Sequence, residues 1–296
     1  MVLIIEKRVF RKIEMKHLVS PKSKLNKLYT GTLWAEGPVW KNNSLIWSDV
    51  RNNTMHSYDP LTSITEVFRD PSDYNNGNTL DIEGRLIRCQ HGKRRVIREE
   101  SDQSITIIAD KFEKNKFNSP NDVAVRSDGS IWFTDPDYGI LSNDEGYKSE
   151  SEQGGNFVFK VSKSGEIEKV LTNFDKPNGL VFSPNEDFLY VADSGAPHNV
   201  KRYSVDSVGG LSKETLFCDM RNGSPDGMTV DVQGNLYVCD VKKSKIRVFS
   251  NSSKYIGSID IPERVANCTF GGEDNSQLFI TASTSLYEIK TETTGK

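Results

Sequence analysis

Six side chains with oxygen donors recur along this sequence, at Glu36, Asn76, Asn121, Asn178, Asp226 and Asn267. Two carboxylates and several carboxamides, brought to one place, make a site for a hard cation. Oxygen-only ligation favours calcium, magnesium or manganese over zinc or copper, and ferrous iron is less expected without histidine. Two neighbouring carboxylates repel each other, and a divalent ion neutralises them. Such a site would leave a coordinated water or a substrate oxygen exposed. The ordinary reason for Asn-Gly and Asp-Gly pairs is turn chemistry. It fits this set poorly: the hairpin turns fall about eight residues downstream, and Glu36 is no turn former.

The elements that must position these groups repeat with them. Six segments align: EGPVWKNNSLIWSDV from Glu36, NGNTLDIEGRLIRCQH from Asn76, NDVAVRSDGSIWFTDP from Asn121, NGLVFSPNEDFLYVADS from Asn178, DGMTVDVQGNLYVCDV from Asp226 and NCTFGGEDNSQLFITAS from Asn267. Each runs from its oxygen donor through alternating apolar residues to a turn signal such as SDGS, PNED or VQGN. A second strand follows, ending in a small or acidic residue, as at Asp49, Asp135, Asp193 and Asp240. Period-two alternation marks strands. Asp128-Gly129 and Gln233-Gly234 sit where a tight hairpin turn belongs. The starts are about 40, 45, 57, 48 and 41 residues apart, the size of one four-stranded propeller blade.

One such unit cannot bury its sheet faces alone, whereas six arranged radially can. The expected fold is therefore all-β: a six-bladed β-propeller of four-stranded antiparallel blades. The last repeat supplies only three strands, so an N-terminal strand, Leu25 to Tyr29, is expected to complete it and close the ring. Residues 1–16 lack alternation and read as an N-terminal arm, a short helix or a loose segment, ahead of a single propeller domain over 17–296. The six oxygen donors would each stand just before an innermost strand and point into the mouth of the channel. The longest interval holds the polar, acidic stretch 141–155, a candidate lid over that mouth.

Composition narrows the function classes. The 296 residues are 35% hydrophobic and 27% charged, an ordered globular composition. The longest early apolar run is Val2 to Ile5, which predicts no membrane helix, and Glu6, Lys7 and Arg8 interrupt any secretion signal. With a net charge of -3, neither nucleic acid nor a membrane is expected as a partner. Cys89, Cys218, Cys239 and Cys268 form no CxxC pair and read as buried thiols in a reducing, cytoplasmic setting. There is no HExxH, and Ser194 and Ser224 have no GxSxG context, so zincin chemistry and a serine nucleophile are not expected.

The motifs EGPVW, SPNDV, WFTDPDYGI, KPNGL and SPDGM resemble the gluconolactonase–regucalcin (SMP-30-like) lactonases from about Leu18 to Ile289. CQHGKRRV and GGNFVF are more similar to the bacterial sugar-lactonase branch than to animal regucalcins. The resemblance implies a six-bladed propeller holding one divalent cation, calcium foremost, with magnesium, manganese, zinc and ferrous iron as the other candidates. It implies Glu36, Asn178 and Asp226 as metal ligands and Asn121 as a further ligand or a substrate-binding residue. Asp226 is the candidate general base. Asn76 and His91 are assigned with Asn121 to substrate binding, as is Glu152 of the acidic loop. Where animal regucalcins carry Arg-x-Asn, this chain has Ser119-Pro120-Asn121, so the arginine that grips the sugar there is missing.

The implied reaction is hydrolysis of an aldonolactone such as gluconolactone. The cation would polarise the carbonyl or a water, and Asp226 would take the proton. The partner is then a small sugar lactone, and the protein a monomer or weak homo-oligomer. Two alternatives stay open: a promiscuous metal-dependent esterase or phosphotriesterase, and a non-catalytic calcium-binding propeller.

Overall fold

The structure, a computed structural model, describes Met15 and residues 17–296. It contains six four-stranded antiparallel sheets and one small extra hairpin, Lys111–Phe112 with Asn115–Lys116. In chain order, the innermost strands of the six blades are Ala35–Lys41, Asn75–Leu80, Val123–Val125, Pro177–Phe182, Pro225–Val230 and Val265–Gly271. Each blade then runs outward through hairpins. The turns carry the residues the sequence marked: Gly129 and Gly234 adopt φ of 85° and 80°, a region open to glycine at no steric cost.

The ring closes as expected, with the strand one residue later. Asn26–Thr30, not Leu25 to Tyr29, pairs antiparallel with Ser285–Lys290 as the outer strand of the sixth blade. Leu25 packs beside it against the core. The expected arm over 1–16 lies outside the described residues apart from Met15, which packs partly buried against the core of the fifth and sixth blades. A single helical turn, Tyr138–Leu141, interrupts the β structure at the start of the long excursion. No described helix is long and apolar enough to cross a membrane.

The alternating apolar residues form hydrophobic layers between neighbouring blades. Trp47 and Phe279 join the first and sixth blades, Met55 and Leu86 the first and second, and Cys89 and Phe133 the second and third. Trp132 and Leu180, Ala192 and Met228, and Cys239 and Cys268 close the other three seams. All four cysteines are free and buried.

The acidic ends of the second strands have a common structural use. Asp49 accepts hydrogen bonds from the Leu33 and Trp34 amides at 3.0 and 3.1 Å. Asp135 does the same for Asn118 and Ser119, both at 2.8 Å, and Asp193 for Asp175 and Lys176, both at 2.9 Å. Asp240 takes the Ser224 amide at 2.9 Å. All four carboxylates are fully buried. Each pins the chain just before it enters an inner strand, the point from which the channel side chains project. Asp193 also accepts from Gly195 N at 3.0 Å. Asp193→Ala would orphan three amides, so a loss of about 3 kcal/mol is expected. Urea unfolding checks it, and a loss below about 1 kcal/mol would contradict this role.

Candidate active site

The chain folds locally so that the oxygen donors turn inward. The inner strands of five blades carry one extra residue relative to the second strand. Pro177 pairs with Asp193 but Leu180 with Val191, and Pro225 pairs with Asp240 but Met228 with Val238. Equivalent register shifts follow Glu36, Asn75 and Val265. These are β-bulges, which re-aim side chains next to sites. Glu36, Asn76, Asn178, Asp226 and Asn267 thus lie within the bulged start of the strand rather than ahead of it. Only Asn121 precedes its strand, held by Asn121 N donating to Thr134 O at 2.8 Å.

The glycines after these donors have a steric cause. A Cβ on Gly77 would come within 2.4 Å of Asn121 O, and one on Gly179 within 2.3 Å of Asp226 O. Neighbouring inner strands therefore approach backbone to backbone around the channel. A buried network sets the second blade: Asn75 Nδ2 donates to Ser48 Oγ at 2.9 Å and to Asn78 Oδ1 at 2.8 Å, and Ser48 Oγ donates to Asn76 O at 2.7 Å.

At one mouth lies a cavity of about 270 Å³ lined by Glu36, Asn76, Asn121, Asn178 and Asp226, together with Trp34, Arg51, Tyr138, Glu145, Ser194, Ser224 and Val241. Five of the six recurring donors converge here. Asn267 lines instead a neighbouring cavity of about 360 Å³ with Asp122 and Asn78, and its carboxamide hydrogen-bonds both Glu36 and Asp122. His91 is fully buried behind the pocket, within 3.2 Å of Asn76. Glu152 stays outside the lining; it binds Arg94 Nη1 at 2.9 Å and the Lys116 amide at 3.0 Å. The acidic loop instead sends Glu145 into the pocket, where it pairs with Arg51 at 2.8 Å. Arg51 in turn lies over the Trp34 ring, 5.3 Å from its centroid.

Trp34, Arg51, Tyr138 and Glu145 had no place in the sequence-based site. The position of Glu145 in the 141–155 excursion was the one available signal. Ser194 and Ser224 do reach the pocket, but the Ser194 hydroxyl donates to Pro225 O, and no histidine lines the wall to activate either one.

The electrostatics single out the two carboxylates. Burial pushes Glu36 up to about 8, against a hydrogen bond from the Gly37 amide, and the Asp122 and Glu145 charges add to the rise. Asp226 is raised well above the usual carboxylate range, first by burial and then by the charges of Glu36, Asp122 and Glu145. Asp122, deeper in the channel, is pushed up to about 7 by burial. Among the described residues no group of three or more histidine, cysteine or acidic side chains is arranged to hold a metal. The donor set here is of another kind: Glu36 and Asp226 complemented by the neutral amides of Asn178 and Asn121. That chemistry fits a hard divalent cation, which relieves the unfavourable pairing of two buried charges.

A propeller with such a pocket at its channel mouth defines a class, and residues 34–284 match the SMP-30/Gluconolactonase/LRE-like region family. The chain belongs to that family and is a hydrolase of the lactonase kind. It is 32% identical to the gluconolactonase of Zymomonas mobilis subsp. mobilis over 289 residues, covering 88% of this chain and 80% of that protein. The structure of a putative gluconolactonase superimposes with a TM-score of 0.90 at 33% identity, over 95% of this chain and 97% of the other. XC5397 from Xanthomonas campestris, a gluconolactonase, superimposes with a TM-score of 0.87 at 29% identity, over 94% and 92%.

Proposed function

We propose that this protein hydrolyses sugar lactones, gluconolactone among them, to the aldonic acids, with one divalent cation held by Glu36, Asn178 and Asp226 and completed by Asn121. The observation that carries this reading is the convergence of two destabilised carboxylates and three amides in one small cavity. A bound cation would supply Lewis-acid polarisation of the lactone carbonyl and acidify a water. Calcium is the first choice because every donor is oxygen.

Asp226 is the base. It takes a proton from water as the water oxygen bonds to the carbonyl carbon. It returns that proton to the ring oxygen as the ring C–O bond breaks, so the sum is one water added across the ester. Burial and the Glu36 charge raise its proton affinity in the ion-free protein; a bound cation would offset that rise and keep the carboxylate ionised, as a base requires. Asn121 and Asn76 orient the substrate's hydroxyls, and Trp34 and Tyr138 form walls that limit water. Four free, buried thiols support a cytoplasmic setting.

The test is hydrolysis by metal-stripped protein after adding back each divalent ion, against glucono-1,5-lactone and pentonolactones, beside an aryl ester and a phosphotriester. Lactone turnover restored by an ion supports the reading. Turnover of the aryl ester or phosphotriester alone, or of none, overturns it.

Glu152 acts at a distance, by holding the loop that carries Glu145. Glu152→Ala is expected to raise KM about threefold while leaving kcat within about twofold. Steady-state kinetics check this. An equal fall in kcat and kcat/KM would instead place Glu152 in the reaction itself.

A further inference from the structure

The His91 imidazole touches two partners that differ in kind. Its Nδ1 lies 3.0 Å from Glu145 O, a carbonyl that can only accept. Nδ1 therefore carries a proton. Its Nε2 lies 3.2 Å from the Asn76 carboxamide. Burial disfavours the imidazolium and lowers the His91 pKa, against the Glu145 carboxylate, which is already paired with Arg51, and the hydrogen bond to Glu145 O. With Nδ1 protonated and the ring neutral, Nε2 is an acceptor, so Asn76 must turn its NH2 toward the ring. Asn76 lines the pocket, and among the described residues its Oδ1 has no hydrogen-bond partner.

The ring cannot swing away. A Cβ on Gly139 would come 2.6 Å from His91 Cβ and 2.8 Å from Ser119 Cβ, so the helical turn lies flat against the histidine. Ser119 Oγ donates to Pro136 O at 2.6 Å and accepts from Gly139 N at 2.9 Å, which fixes that turn.

We propose that His91 is a positioning residue: held as the Nδ1–H tautomer by Glu145 O, it fixes the Asn76 carboxamide with Oδ1 presented to the pocket. The acidic loop and the second blade's inner strand are thereby linked through one side chain. Withdrawal of the loop takes away the acceptor at Nδ1. The imidazole is then free to carry its proton on Nε2, which would turn the carboxamide round and present NH2 where an acceptor had stood. A polyhydroxylated substrate, which donates from its hydroxyls, would meet the acceptor only with the loop in place. The tautomer argument stands on the two contacts of a fully buried ring; its kinetic consequence rests on the lactonase reading.

The first measurement is long-range proton–nitrogen correlation NMR on metal-free protein with 15N-labelled histidine at pH 7, His91 being assigned by its loss in His91→Gln. The expected pattern is a pyrrole-type Nδ1 and a pyridine-type Nε2. The reverse pattern, or an imidazolium, overturns the proposal. In Asn76→Asp a carboxylate replaces the donor, and His91 should become doubly protonated; an unchanged spectrum also overturns it. The second measurement is kinetic. His91→Leu should raise KM for gluconolactone about tenfold, the order of one lost substrate hydrogen bond, with kcat changed less. KM for γ-butyrolactone, which lacks hydroxyls, should change less than about threefold in the same variant. Equal effects on both substrates mean a general structural role and count against the proposal. If the wild type turns over neither, the lactonase reading fails and the NMR result decides the tautomer by itself.

Discussion

Asp226→Asn should abolish lactone hydrolysis while leaving the fold intact, with kcat falling by about 10³ or more. The substitution keeps size and one ligand oxygen, and removes the proton acceptor and one negative charge. Asp226 lies buried in the pocket wall, where a hydrogen bond with the Asn178 side chain favours its charged form. Losing the charge also relieves repulsion with Glu36, so thermal stability should hold or rise. Cation affinity should fall, so the assay belongs at saturating ion. If activity returns with excess ion, Asp226 is a ligand and not the base. Activity that stays lost in a normally folded, ion-loaded variant identifies the base.

Stripping the divalent ion should remove activity and expose a pH-dependent weakness. Glu36 and Asp226 bind protons more tightly in the folded protein than in the unfolded chain. An acid with a raised folded pKa costs stability as pH climbs from its unfolded value, near 4.5 for Glu36, toward its folded value, about 8. The ion-free protein should therefore lose stability from pH 5 to pH 8. A divalent ion binds the deprotonated pair, so its binding releases protons and tightens over the same interval. At a fixed concentration, one hundred times its Kd at pH 8, the ion should raise Tm by on the order of 5 °C at pH 8, and by much less at pH 5. Thermal unfolding with and without calcium at the two pH values is the check. An increment independent of pH would mean that the ion does not sit on these carboxylates.

The blades were legible because their signals are local. Alternation, turn residues and an oxygen donor recur within each repeat, and Asp128-Gly129 needs no tertiary partner to specify a turn. The limits of Asn26–Thr30 were one residue off because Ser285–Lys290, far along the chain, decides which residues pair. The bulges could not be read, since an extra residue shows only against a partner strand. Nor does spacing show that Asn267, equal to the others by sequence, lines the neighbouring cavity while its carboxamide hydrogen-bonds Glu36. Asp49, Asp135, Asp193 and Asp240 were visible as a pattern, but their use in pinning backbone amides was not. The acidic loop offered several carboxylates. Arg51, on the first blade, selects Glu145, while Arg94 holds Glu152 outside. No spacing within the loop encodes that choice.

Closure by the strand Asn26–Thr30 has a consequence for synthesis. Asn26 meets Glu288 across 262 positions of chain, so the sixth sheet is finished only after the last blade has been made. Contacts of such separation are slow to form. Glu36 follows the closing strand by six residues, while Asn178 and Asp226 stand in the fourth and fifth blades. An open ring lets these donors drift apart even when every blade is folded. Capture of the proposed cation would therefore report on completed assembly: in a refolding chain it should appear with the last phase, and a nascent chain still short of residue 285 should bind none.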